Sequence, residues 1–401
     1  MRAVFVNHCH PEKPHVCAVR MREFARAMAG RGHQVVLLTE TLSEEERGQC
    51  PEVLADRLAE HDWSAPFCLN IAPAGYERLS QARRGELPGL AGKALLSMHY
   101  LFYGGVHRDW QEGVRRCLPI LAESFQPDVV WATFGNATSW QIARDIAGES
   151  ACPWVADLKD HWQSFIPAVL RRPLASRYGD AAAFTAFSDD HVATIREWFR
   201  RPGQVVYSGI DPALYPEQAL PAQTITLTGA VYDEADLAVL IGGIEAAVRE
   251  MEAPARQEVR FCYAGYDADM VRAQTTGLEK LITVDIREQQ PLGAWLEVLS
   301  GAAVNCYVKS SRTFHHKIFD LAGAGKPVLT VPPETDEARN IAALAGVTLS
   351  GAVTAGEVAE LVQATLSKSG ADSPVDRRAL SWEQRAGILE DILQSVIRGR
   401  E

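Results

Sequence analysis

His315, His316 and Lys317 stand together, and a carboxylate, Asp320, follows one helical turn on. They lie in Thr313–Thr330, TFHHKIFDLAGAGKPVLT, where Phe314, Ile318, Leu321 and Ala322 repeat at helical spacing. Gly323-Ala324-Gly325 supplies the backbone angles of a helix stop, and Val328–Val331 has the pattern of a short buried strand. A helix set before a parallel strand offers its first turn to an anion, because free N–H groups and the helix dipole point there. Cations for a diphosphate and an acid for ribose hydroxyls are what a nucleotide-sugar site needs. An ordinary helix–turn–strand unit with a charged outer face would show the same residues.

Two further groups have chemical potential. The loop Asn7–Cys17, NHCHPEKPHVC, crowds His8, Cys9, His10, His15 and Cys17 together. Imidazole and thiolate suit zinc, but the spacing fits no closed structural zinc pattern. Polar groups lining the carboxyl end of the first strand are therefore the expected role, and no metal is expected. The segment Cys152–Trp162, CPWVADLKDHW, sets Asp157, Asp160 and His161 after a strand; a helix cap is the alternative role for Asp160.

The elements that must position these groups are regular. Ala3–Val6 reads as a strand, Val16–Ala29 as an amphipathic helix closed by Gly30-Arg31-Gly32, and Gln34–Thr39 as a second strand, together a βαβ unit. Gln126–Thr133 and Ala181–Phe187 continue the series, with a helix over Ser139–Ala147. Pro212–Pro221 carries three prolines and reads as a linker. A second alternating series follows, with strands at Thr224–Thr228, Val259–Ala264, Ile282–Val284, Ala303–Val308 and Val328–Val331. Two α/β domains are the expectation.

Bulk properties narrow the partners. The 401 residues are 47% hydrophobic and 23% charged, with a net charge of −11, so nucleic acid is not an expected partner. No run is long enough to span a membrane, and the longest uncharged one is Ala94–Val106. The start, MRAVFVN, enters a strand directly, so no signal peptide is expected, and scattered cysteines without CxxC pairs suit a reducing cytoplasm. Phe165–Leu174, FIPAVLRRPL, joins apolar residues to Arg171 and Arg172 and suggests either peripheral membrane contact or a helix packed on its own domain. Tyr100, Phe102, Tyr103 and Trp110 suit an acceptor groove and a core equally well.

The opening stretch resembles the donor motif of GT-B glycosyltransferases of the family-four type, some version of P-x-K-x-x-E-y-l-a-x-G-k-P-v. Lys317 falls on its Lys, Asp320 on its Glu and Gly325-Lys326-Pro327 on its G-K-P. The turn Gly30–Val35, the strand at Gln126–Thr133, the CPWVADLKDHW segment, Ser188 after its strand and the Gln204–Asp211 hinge are similar to family segments, as is Ser381-Trp382-Glu383 before a terminal helix. The resemblance covers most of the chain apart from about Thr41–Arg116. It implies the GT-B fold: α/β, two doubly wound Rossmann-like domains facing across a cleft. The boundaries expected are an acceptor domain over 1–207, a hinge over 208–221, a nucleotide-sugar domain over 222–380 and a terminal helix over 381–401 that crosses back.

Two departures stand out. The family's Arg and Lys after the glycine at Gly229 are absent, with Asp233, Glu234 and Asp236 in their place. Arg312 occupies the position of the family's first Glu. Lys309, Arg312, His316 and Lys317 are the cations left to hold a diphosphate. The resemblance implies a metal-independent, retaining glycosyltransferase without a cofactor, acting on a nucleotide sugar and a glycan, lipid-linked or small-molecule acceptor. Gly229, Arg312, His316, Lys317 and Asp320 are its expected donor residues. Asp160 and His161 are the catalytic candidates, and His8, His10 and Ser188 the acceptor or phosphate loop. A non-hydrolysing sugar-nucleotide epimerase and a non-catalytic GT-B partner protein are the alternatives.

Overall fold

The computed structural model describes residues 1–13, 15–42, 51–216, 223–309, 314, 316–367 and 375–399. They divide into a first unit, Met1–Ser208 with Arg385–Glu401, and a second, Gly209–Gln384. Arg312 and His315, and part of the linker (217–221), fall outside the described residues.

The first unit is built on strands β1 (Arg2–Val6), β2 (Gln34–Glu40), β3 (Phe67–Ile71), β4 (Val129–Thr133), β5 (Trp154–Leu158), β6 (Ala183–Ala186) and β7 (Gln204–Val205). They form one parallel sheet in the order β3-β2-β1-β4-β5-β6-β7. Both faces are covered, which is why β1, β2 and β4 read as unbroken apolar runs rather than alternating ones. Phe5 and Trp131 stack edge-on at 4.9 Å, and Phe24 of helix Val16–Gly30 meets Trp131 at 5.3 Å. Val4, Val6, Val130 and Ala132 pack in a core that includes Trp140 of helix Ala137–Glu149. Helix Val16–Gly30 also buries a charge: Arg20 pairs with Asp157 at 3.1 Å, both side chains 0% exposed, and donates to Val206 O and Ser208 Oγ.

The second unit has β8 (Gln223–Thr228), β9 (Val259–Ala264), β10 (Thr283–Arg287), β11 (Val304–Val308), β12 (Val328–Val331) and β13 (Leu349–Gly351). They make a parallel sheet in the order β10-β9-β8-β11-β12-β13. Its core joins Ile225, Leu227 and Phe261 to Leu240 and Ile244 of helix Glu234–Arg249 and to Val358 and Val362 of helix Ala355–Leu366. Both sheets share a central order in which the first strand lies between the second and the fourth. Connections reverse direction there, and ligands of such sheets bind outside the carboxyl ends of the strands at that point.

Helix Trp382–Arg398 closes the described chain. Its Glu390 takes bonds from Arg31 Nε (2.5 Å) and meets His33 Nε2 (2.8 Å), all within the first unit. Among the described residues no helix is long and apolar enough to cross a membrane. In Phe165–Leu174, Ile166, Leu170 and Leu174 are buried while Val169 is 81% exposed; Arg171 is tied to Ile166 O and Gln163 O.

Candidate functional site

In the second unit, β8 ends at Thr228 and the chain turns at Gly229, whose φ of +78° lies in the left-handed region. A Cβ at this position would also come within 2.5 Å of Lys317 Nζ, so glycine is required twice over. Lys317 is the first residue of helix Lys317–Ala324, which Gly325 closes at φ +79°. Its ammonium reaches back to the glycine turn and donates to Thr228 O (3.0 Å) and Ala230 O (3.4 Å). The rings of Tyr307 and Tyr232 stand 5.4 and 5.7 Å from Nζ. Burial lowers the Lys317 pKa to about 8, against the pull of the Asp267 and Glu334 carboxylates.

The surrounding groups hold this arrangement. Tyr263 donates to Gly229 O, Val231 N–H to Asp267, and Tyr307 to Glu334 at 2.8 Å. Lys309 donates to Pro333 O (3.3 Å) and stands 3.9 Å from Glu334. Asp320, one turn beyond Lys317, accepts from Tyr215 Oη at 3.4 Å; burial pushes its pKa up to about 6, with the Tyr215 bond opposing. His316 is the residue before the helix, its ring 6.5 Å from that of Phe319. The expected Lys317, Asp320, His316 and Gly229 thus come together in one unit, while Arg312 lies outside the described residues. Asp233 has a structural role: it caps helix Glu234–Arg249 by accepting from Ala235 and Asp236 N–H.

In the first unit, the loop after β1 folds over the start of helix Val16–Gly30. Asn7 Nδ2 donates to both Cys9 O and Cys17 O at 3.2 Å. Cys9 Sγ lies 3.3 Å from His8 Nε2 and 3.8 Å from His15 Nδ1, and Cys17 Sγ 3.9 Å from Asp160 Oδ2. The hydrogen bond between the thiols splits them, pushing Cys9 up and holding Cys17 far below its usual range, at about 3. Burial lowers the His8 pKa to about 4, so the ring is neutral at pH 7. Asp160 accepts from Lys159 Nζ at 3.0 Å and does not cap the following helix, whose preceding residue is His161. His161 stacks on His191 at 4.5 Å and lies 3.5 Å from Asp190.

Other expected residues are engaged elsewhere. Ser188 is 1% exposed; it caps helix Asp189–Phe199 and meets His191 Nδ1 at 2.6 Å. His10 is 6% exposed and lies 3.1 Å from Asn70. Trp110 is core, while Phe102 is exposed. Sequence reasoning missed a cavity of about 780 Å³ lined by Lys13, Glu40, Arg83 and Asp109. Arg83 holds Asp109 by two bonds of 2.6 and 2.7 Å. The only advance signal was the place of Glu40 at the end of β2, at the carboxyl edge of the sheet. A larger cavity of about 1180 Å³, lined by Thr224, Arg260 and Asp285, holds none of the candidate residues.

The fold has known counterparts. Residues 17–209 match the model of the glycosyl transferase 4-like domain, and the two parallel-sheet units have the GT-B fold. Its fold aligns with a glycosyltransferase from Rickettsia africae ESF-5 at TM-score 0.55 and 9% identity, over 99% of this chain and 98% of that one. UDP-GlcNAc 2-epimerase from Methanocaldococcus jannaschii aligns at TM-score 0.54 and 11% identity, over 98% and 100%. A trehalose-6-phosphate structure from E. coli bound with UDP-2-fluoro glucose aligns at 0.52 and 11%, over 99% and 96%. At such identities the likeness is one of fold. No curated protein matches the sequence.

Proposed function

We propose that the chain is a glycosyltransferase that moves a sugar from a nucleotide-diphosphate donor to a glycan, lipid-linked or small-molecule acceptor. The observation that carries the reading is Lys317: a desolvated ammonium held against the glycine turn where the second sheet switches direction. When the bond from the anomeric carbon to the diphosphate breaks, negative charge grows on the leaving oxygen. A pre-placed cation stabilises that charge without reorganising, so the step needs no metal ion. Retention of anomeric configuration is part of this proposal and rests on the resemblance to family-four enzymes. Asp320 is assigned to the ribose, Asp160 and His161 to the acceptor side, and the cavity at Lys13 and Glu40 is a further acceptor candidate. Fold neighbours include both a glycosyltransferase and an epimerase. The domain matched at 17–209 supports the transferase.

Binding of nucleoside mono- and diphosphates by calorimetry tests the site. One charge-assisted hydrogen bond contributes roughly 1.5–3 kcal/mol, so Lys317→Ala should weaken diphosphate binding by about ten- to a hundredfold. Monophosphate should lose less. Asp320→Ala should weaken both alike. A Lys317→Ala protein that binds donor and turns it over like the parent would overturn the site. Incubation with UDP-N-acetylglucosamine alone, without acceptor, separates an epimerase, which would still convert it.

A further inference from the structure

We infer that Cys9, His15 and Cys17 bind a zinc ion, which clamps the loop after β1 to the start of helix Val16–Gly30. Their ligand atoms all lie within 4.8 Å of one another. Cys9 Sγ is 3.8 Å from His15 Nδ1, close to the roughly 3.5 Å that a sulfur and a nitrogen keep across a tetrahedral zinc with bonds of about 2.3 and 2.0 Å. Two thiolates and an imidazole form a soft donor set that zinc favours and that calcium or magnesium does not.

Much of the site is in place before any ion arrives; His15 Nδ1 accepts from Cys17 N–H at 3.2 Å as the helix cap, a bond that zinc would replace. Cys9 and Cys17 are 7% and 1% exposed and neither is in a disulfide, so two thiols are buried side by side with the rim histidine exposed. Asn7 at the end of β1 ties Cys9 O and Cys17 O together, which fixes the two ligand backbones relative to each other. Zinc binding forms two Zn–S bonds and one Zn–N bond and releases the Cys9 thiol proton to solvent, Cys17 being a thiolate already. The two thiolates then neutralise the dication, and Lys159, beside both Cys17 and Asp160, keeps Asp160 as its counter-charge, so the loaded site carries no net charge. A fourth position stays open, with Asp160 Oδ2 on its flank, 3.9 Å from Cys17 Sγ. The spacing Cys-x5-His-x-Cys belongs to no closed finger pattern, which is why sequence alone argued against a metal.

This inference does not depend on the sugar-transfer reading, because every ligand is in the first unit and Lys317 is in the second. The test is made on the full chain purified with reductant, loaded with zinc sulfate and dialysed. Metal analysis should find about one zinc per chain. Cobalt loading should give the intense visible bands of tetrahedral, thiolate-bound cobalt, a readout that needs no variant. Cys9→Ser/Cys17→Ser should lose the metal, while Cys262→Ser, a buried thiol of the second unit, should keep it. A parent protein that retains no zinc and shows no such cobalt bands would overturn the inference. So would zinc retained by the double variant.

Discussion

The two units share a sheet order at their centres but end their first strands in opposite ways. β8 runs into Gly229, and the crevice there is shaped by backbone: the turn carbonyls of Thr228 and Ala230 hold Lys317. β1 runs into Asn7-His8-Cys9-His10, and its crevice is filled by side chains that bond one another. The topology provides the place for a ligand in both units. Whether a glycine or a polar side chain follows the strand decides what occupies it. A backbone turn leaves room for a substrate and brings up one cation; a packed cluster of histidines and thiols is suited to a fixed occupant. The first helices diverge in the same way, since Val16–Gly30 buries Arg20 whereas Glu234–Arg249 buries Leu237, Leu240 and Ile244.

The largest effect should come from breaking that last contrast. Arg20 and Asp157 are fully buried partners, and Asp157 also accepts from Thr185 Oγ1. Removing the cation leaves a carboxylate without its counter-charge in the core. Arg20→Ala should therefore destabilise the first unit by about 3–5 kcal/mol. Seven of the nine tryptophans lie in that unit, so denaturant unfolding followed by tryptophan fluorescence reports chiefly on it. A loss below about 1 kcal/mol would mean that the buried charge pair is not what distinguishes the units.

A smaller effect separates the crevices by pH. Lys317 has a pKa of about 8, and a diphosphate binds its charged form. Affinity should be nearly full at pH 7 and fall about tenfold by pH 9, as the ammonium loses its proton. Folding stability should move the other way over that window. A lysine with a lowered folded pKa binds fewer protons when folded than when unfolded, so its cost is relieved as pH rises. Calorimetric titration at both pH values checks the first sign, and urea unfolding the second. A flat affinity from pH 7 to 9 would separate Lys317 from the phosphates.

How much of this was legible depends on element length and on local chemistry. Strands β9 and β12 are read to the residue, and helix Val16–Gly30 to within one, because their apolar residues run nearly unbroken in the strands and at helical spacing in the helix. The missed strands are weak signals. β3, FCLNI, is an edge strand within Thr41–Arg116, the stretch that the family resemblance leaves uncovered; β7 has two residues and β13 three, too few for any period. At the site, Lys317 and Gly229 were legible as separate residues, but their pairing joins positions 89 apart from Thr228 to Lys317 and follows only from the sheet order. Ser188 was assigned to a loop although Ser-Asp-Asp before a helix is a cap signature, and the structure uses it so.

The same signature frames the smallest prediction. The acidic run Asp233-Glu234-Ala235-Asp236 stands where the resemblance to the family-four donor motif leads one to expect cations, and it has two explanations. Either its charge repels a diphosphate and marks a lost activity, or it belongs to the helix that it starts. The structure gives Asp233 two backbone donors, Ala235 N–H at 2.8 Å and Asp236 N–H at 3.2 Å, and puts Glu234 and Asp236 in the first turn, where the helix dipole favours anions. Two variants divide these accounts. Asp233→Ala removes the acceptor and should cost about 1 kcal/mol, whereas Asp233→Asn keeps the cap and should cost a few tenths at most. Both remove the charge, so repulsion would make both bind diphosphate more tightly. A capping role predicts that Asp233→Asn binds as the parent does. A marked gain of affinity in Asp233→Asn would show that the acidic run opposes the donor, and Lys317 would then be holding its ligand against its own neighbours.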